Sequence, residues 1–86
     1  MLKIYGSDMC PDCLQCKQDL DASGVAYEYH DIAESLPDLK EFLKLRDTLP
    51  LFDDARREGY IGIPCILNSR GEVSLDWSQY VSQVDA

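Results

Sequence analysis

Cys10, Cys13, Cys16 and Cys65 are the chain's four cysteines, and the first three stand at regular intervals in "CPDCLQC". Two chemistries use such spacing. A C-x-x-C pair at the start of a helix lets one thiolate attack a disulfide and a second thiol resolve the mixed disulfide, because residues at i and i+3 face each other. Three thiolates with a fourth ligand would instead hold a zinc ion or an iron–sulfur cluster. Positions on one continuous helix rotate away from one another, so Cys10, Cys13 and Cys16 cannot all surround one metal without unwinding it. The pattern therefore favours redox chemistry. A metal or cluster carrier, with the group shared between two copies through Cys10, is the alternative.

Within a redox pair the roles differ. Pro11 suits the first turn of a helix, which places Cys10 at the amino end, where unpaired N–H groups and the helix dipole favour a thiolate. Cys10 is the expected nucleophile and Cys13, one turn on and more buried, the resolving thiol. Asp12 sets a carboxylate between the two sulfurs and Asp8 another just ahead of them, and as like charges both oppose the thiolate.

The elements that must position these residues are legible in outline. "LKIYG" alternates apolar and polar residues and predicts a first strand over Leu2 to Tyr5. A helix follows from Pro11 to Ala22, with Gly24 as its stop. At the ideal rotation Cys13, Cys16 and Leu20 share a sector of about 60°, its core face. "VAYEYHDI" predicts a second strand with Val25, Tyr27 and Tyr29 alternating, and the strand–helix–strand unit makes the two strands parallel. Ser35 caps a second helix carrying Leu36, Leu39, Phe42 and Leu43, with Asp38 in capping-box position. Pro50 interrupts it, and a shorter helix supported by Asp53 and Arg57 ends at Gly59. "IGIPCIL" and "EVSLD" predict a closing hairpin across "NSRG", followed by a helical turn packing Trp77, Tyr80 or Val84.

Length and charge exclude several functions. A chain of 86 residues is read as one domain over residues 1–86. No apolar run approaches the roughly 18 residues of a membrane span, so a membrane partner is not expected. The first residues lack the basic patch and apolar run of a secretory signal, which places the protein in the cytoplasm. There, clustered cysteines read as redox or metal chemistry, since structural disulfides do not persist. A net charge of −8 argues against nucleic acid and, beyond solubility, points to a protein partner with a basic surface. A monomer is expected.

"CPDC" opening a helix and "GIPC" opening a later strand resemble the glutaredoxin branch of the thioredoxin-like superfamily, and the resemblance covers most of the chain. It implies an α/β fold: a four-stranded mixed sheet flanked by helices, strands one and two parallel, three and four antiparallel. It implies a thiol–disulfide oxidoreductase with no bound cofactor, reducing protein disulfides or glutathione mixed disulfides. Electrons would come from glutathione or from a flavin-dependent, thioredoxin-reductase-type protein. By the same resemblance Pro64 follows a cis peptide bond and the Ile63 backbone pairs with bound peptide or glutathione beside Cys10. Pro11, Asp12, Ile63 and Pro64 are thus the expected substrate-contacting residues.

The sequence departs from that family in two places. Typical glutaredoxins hold the γ-glutamyl end of glutathione with a Gly-Gly and a following polar pair after the last strand. Here "NSRGEVSLDWSQY" has no Gly-Gly, and Ser74, Asp76 and Ser78 are the nearest substitutes. Many relatives also carry a lysine shortly before the active-site cysteine, where this chain has Asp8. An acidic entrance is a poor match for anionic glutathione. Cys16 reads as a small buried hydrophobe, with a regulatory disulfide to Cys13 as the alternative. Cys65, adjoining Pro64, is divided between packing and a redox or ligand role. His30 reads as an exposed polar residue at a sheet edge, and Arg56 and Arg57 as surface partners of Asp53 and Asp54.

Overall fold

A computed structural model of the chain describes residues 1–81; Val84 lies outside them. Strand β1 (Leu2–Gly6) leads through a short loop into helix α1 (Pro11–Ala22), then β2 (Tyr27–Asp31) and α2 (Leu36–Thr48). A 3₁₀ turn over Pro50–Phe52 runs into α3 (Asp53–Glu58), and a loop enters β3 (Cys65–Leu67) and β4 (Val73–Ser74). A last 3₁₀ turn covers Trp77–Tyr80.

The sheet is mixed and four-stranded, with β1 and β2 parallel and β3 and β4 antiparallel, as expected; its order is β2-β1-β3-β4, with β1 antiparallel to β3. The central strand β1 sorts the core by its period of two. Leu2 and Ile4 pack with Cys16 and Leu20 of α1 and with Ile66. Tyr5 points the other way, into a cluster with Phe42 of α2, Phe52, Ala55 of α3 and Cys65. One face of the sheet therefore belongs to α1 and the other to α2 and α3. Each of the fully buried Ile4, Leu20, Phe42, Phe52 and Ile66 contributes about 1.5–3 kcal/mol by leaving water.

Several boundaries differ from the sequence reading. Strand β2 starts at Tyr27, leaving Val25 in the approach, and β3 starts at Cys65, so Ile61 to Pro64 form a loop. The "EVSLD" strand shrinks to Val73–Ser74. Ser35 does cap α2, its Oγ accepting the Asp38 N–H at 3.3 Å, but the Asp38 carboxylate turns to His30 rather than closing a capping box. Phe42 is buried while Leu36 is 67% exposed, because the helix shows only a narrow stripe to the sheet. In α3 the ion pairs run Arg56 to Asp53 and Arg57 to Asp54, both three residues apart; the expected Asp53–Arg57 pair does not form, since each arginine reaches the nearer turn.

Candidate active site

The loop between β1 and α1 is built around Ser7. Its carbonyl accepts the Cys10 N–H at 3.0 Å and its Oγ accepts the Met9 N–H at 3.2 Å. That turn delivers Cys10 as the N-cap of α1, in extended conformation, with Pro11 in the first turn. The Cys10 sulfur accepts the Cys13 N–H at 3.3 Å, so a helix-start amide bonds the sulfur directly. Cys10 is half-buried at the surface and Cys13 fully buried behind it. Burial, then the bond to Cys10, pushes the Cys13 thiol up to about 12.

Cys10 opens on a groove of about 670 Å³. Met9, Pro11 and Asp12 form one bank, Tyr60, Ile61 and Ile63 the other. Most of its walls are apolar: Met9, Tyr60 and Ile61 are 83%, 51% and 53% exposed, unusual values for large apolar side chains next to a reactive sulfur. None of the lining residues is cationic. The second bank is braced from behind by Arg46 of α2, whose guanidinium donates to the carbonyls of Tyr60 at 2.7 Å, Ile61 at 2.8 Å and Ala55 at 3.4 Å. Gly62 fits there because its φ of 93° is open to glycine and a Cβ would stand 2.9 Å from the Phe52 ring.

Of the expected substrate-contacting residues, Pro11, Asp12 and Ile63 line the groove. The Ile63–Pro64 peptide is cis, and Pro64 itself is buried and does not line the groove. Asp8, read as a modulator beside the entrance, is not among the groove-lining residues. Lys17, further along α1, draws its carboxylate into a 2.9 Å ion pair that holds it below the usual carboxylate range. Lys17 Nζ also sits 4.0 Å from the centroid of the Tyr29 ring.

Cys16 packs in the α1 core and Cys65 in the opposite core, both fully buried, their thiols pushed up to about 11 and about 12 chiefly by burial. Among the described residues no three His, Cys, Asp or Glu side chains gather as metal ligands. His30 is less exposed than expected: it lies between Glu28 at 3.2 Å and Asp38 at 3.1 Å, and 5.5 Å from the Tyr5 ring. Arg56 and Arg57 are surface partners, as read from the sequence. Ser74, Asp76 and Ser78 bond one another and cap the final 3₁₀ turn, while Trp77 donates to Asp19 of α1 at 2.9 Å.

Met9, Tyr60, Ile61, Arg46 and Lys17 were not singled out in the sequence, and Tyr29 was read only as a strand residue. Ile61 was hidden by the strand assigned to "IGIPCIL"; with β3 beginning four residues later, it falls in a loop beside the first helix. Arg46 carried no signal, since its partners are backbone carbonyls.

A cysteine-bearing helix start beside a cis-proline loop, on a four-stranded mixed sheet with this order, is the architecture of a thioredoxin-like protein. The chain belongs to the glutaredoxin family, whose model matches residues 2–66. The family is one of thiol–disulfide oxidoreductases. The chain is also similar to an uncharacterized protein of Haemophilus influenzae, 41% identical over 76 residues that cover 88% of each chain. No solved structure matches it significantly.

Proposed function

We propose that the chain is a dithiol oxidoreductase that reduces disulfides in protein substrates through Cys10 and Cys13. The observation that carries this is the pairing of a surface sulfur at a helix start with a buried thiol one turn on, Cys13 N–H bonding Cys10 Sγ. In the first step the Cys10 thiolate attacks one sulfur of the substrate disulfide, and the other sulfur leaves as a thiolate that takes up a proton. In the second, Cys13 loses its proton and attacks Cys10 Sγ, expelling the reduced substrate and leaving a Cys10–Cys13 disulfide. Glutathione or a flavin-dependent reductase then returns two electrons. The apolar groove without cationic lining favours a peptide segment over free glutathione as the first substrate.

Single-cysteine variants test the reading. Cys10→Ser should abolish reduction of an insulin-type disulfide, while Cys13→Ser should accumulate a mixed disulfide with substrate, visible by mass spectrometry. Wild-type turnover by Cys10→Ser would refute it.

A further inference from the structure

The second step asks a buried thiol to give up its proton. In the free dithiol, burial first and the Cys10 contact second hold that proton on Cys13, with the Ser7 backbone opposing; of these, burial remains when Cys10 is bonded to substrate. An unassisted thiol so placed is almost wholly protonated at neutral pH.

A polar group without a formed hydrogen bond stands close by. The Tyr29 hydroxyl is buried and, among the described residues, no hydrogen bond to it is formed, although the Asp8 carboxylate, drawn to Lys17, lies near enough to act on it. Such groups are uncommon in folded proteins and call for an explanation. Gly6 brings it to the thiol: a Cβ on Gly6 would lie 2.9 Å from Cys13 Sγ and 3.0 Å from the Tyr29 hydroxyl oxygen. Both atoms converge on the space that Gly6 leaves empty. Lys17 Nζ, itself anchored to Asp8, lies 4.0 Å from the centroid of the same ring.

Building on the dithiol reading above, we propose that Tyr29 is a further catalytic residue, its hydroxyl donating a hydrogen bond to the Cys13 sulfur as the thiolate forms and attacks Cys10. The bond is absent in the dithiol state and forms in the Gly6 space as the sulfur gains charge. The Cys13 proton passes to solvent, and its electron pair makes the Cys10–Cys13 bond. The pair of the broken Cys10–substrate bond leaves on the substrate sulfur, which takes a proton from solvent. Tyr29 keeps its own proton throughout, because burial and the nearby Cys13, Asp8 and Asp31 charges all raise its ionisation. A donor to a buried anion acts more strongly than one in water, which is why a single hydroxyl there matters.

The test uses an aromatic disulfide, dithiobis-nitrobenzoate, whose released thiolate is coloured, mixed in equimolar amount with the fully reduced protein in a stopped-flow instrument. The first equivalent of colour reports attack by Cys10 and the second reports resolution by Cys13. Tyr29→Phe should leave the first phase unchanged and slow the second about ten- to a hundredfold. The pH midpoint of the second phase should rise by about one unit or more, while that of the first stays. The groups facing Cys13 that could otherwise move this midpoint are Cys10 and Cys16; Asp8, Lys17 and Asp31 act on Tyr29, and all are retained in the variant. Because the variant sheds an unpaired hydroxyl and keeps the ring, its urea midpoint should hold or rise. A wild-type second phase in Tyr29→Phe, or a slow one explained by a fallen urea midpoint, would overturn the inference while leaving the dithiol reading intact. A wild-type protein that never releases the second equivalent would overturn both.

Discussion

Cys13 and Cys65 are equally buried, and burial comes first in pushing each thiol up to about 12, yet they sit on opposite faces of one sheet. Around Cys65 there is only packing: Tyr5, Phe42, Phe52 and Ala55 share its cluster, with the Phe42 and Phe52 rings edge to face at 5.9 Å. Around Cys13 there are groups that act on charge, Cys10, Cys16 and the Ser7 backbone, and the polar Tyr29 hydroxyl stands near the same Gly6 space. Burial alone makes a thiol inert. Chemistry needs burial together with a sulfur to attack and donors for the charge that develops. The α2 and α3 face thus surrounds its thiol with packing, and the α1 face holds the thiol of the candidate site.

Exchanging the fates of the two thiols is the strongest way to break that contrast. Cys13→Ala should lower turnover with a protein disulfide at least about a hundredfold, at a stability cost of about 1 kcal/mol. Cys65→Ala should cost a similar about 1 kcal/mol of stability while turnover stays within about twofold. Turnover lost in Cys65→Ala, with the fold intact by circular dichroism, would show that the two faces are not separate.

A pH series probes what the thiols share. The folded chain holds the protons of Cys13, Cys16 and Cys65 more tightly than the unfolded chain, whose thiols titrate near 9.0. Above that pH the unfolded state binds fewer protons, so stability is complete below it and declines toward about 11 to 12. Urea midpoints should therefore fall steadily on the alkaline side. Cys65→Ala should flatten the fall by at most about 1.4 kcal/mol per pH unit. An identical slope in wild type and variant would mean that Cys65 is not protonated and dry in the folded chain.

The two faces were not equally legible in the sequence. Helix α1 was read at its observed ends because Pro11, the cysteine spacing and Gly24 are local signals with local causes. The parallel pairing of β1 and β2 followed from the strand–helix–strand rule, and the antiparallel β3 and β4 from the hairpin across "NSRG" and the family resemblance. What was missed is long-range. Tyr29 looked like an ordinary strand residue, and only the parallel pairing of β2 with β1 brings it beside Gly6 and Cys13. Asp8 looked like a free charge at the entrance because its partner Lys17 lies a helix turn and more past Cys13. Ile61 and Ile63 were assigned to a strand because their alternation fits one; Gly62, at a φ of 93°, breaks it.

Arg46 links the faces, since it belongs to α2 yet holds the groove bank of Tyr60 and Ile61. Arg46→Ala should cost about 0.5–1.5 kcal/mol, because water can replace the guanidinium at the exposed Tyr60 and Ile61 carbonyls. It should raise KM for a protein disulfide several-fold, while the rate of Cys10 alkylation stays the same. An unchanged KM would mean that the Tyr60–Ile61 bank does not touch substrate.

The smallest expected effect separates the two acids of the α1 face. Asp12 lines the groove and makes no ion pair among the described residues, whereas Asp8 is turned away from the groove to Lys17. A charge acts on an approaching anion according to distance and intervening solvent, so Asp12 should dominate the repulsion of glutathione. With glutathione as reductant, Asp12→Asn should speed turnover about two- to fivefold at low ionic strength. Added salt should close the gap, because screening removes the repulsion in wild type and has nothing to remove in the variant. Asp8→Asn should gain less than Asp12→Asn, and it disturbs the Lys17 contact with Tyr29 besides. Steady-state kinetics with glutathione and with a thioredoxin-reductase-type protein, side by side across a salt series, decide the matter. Efficient, salt-independent turnover of glutathione by wild type, unaltered in Asp12→Asn, would mean that the acidic groove does not discriminate against glutathione and that the missing Gly-Gly is compensated elsewhere in the chain.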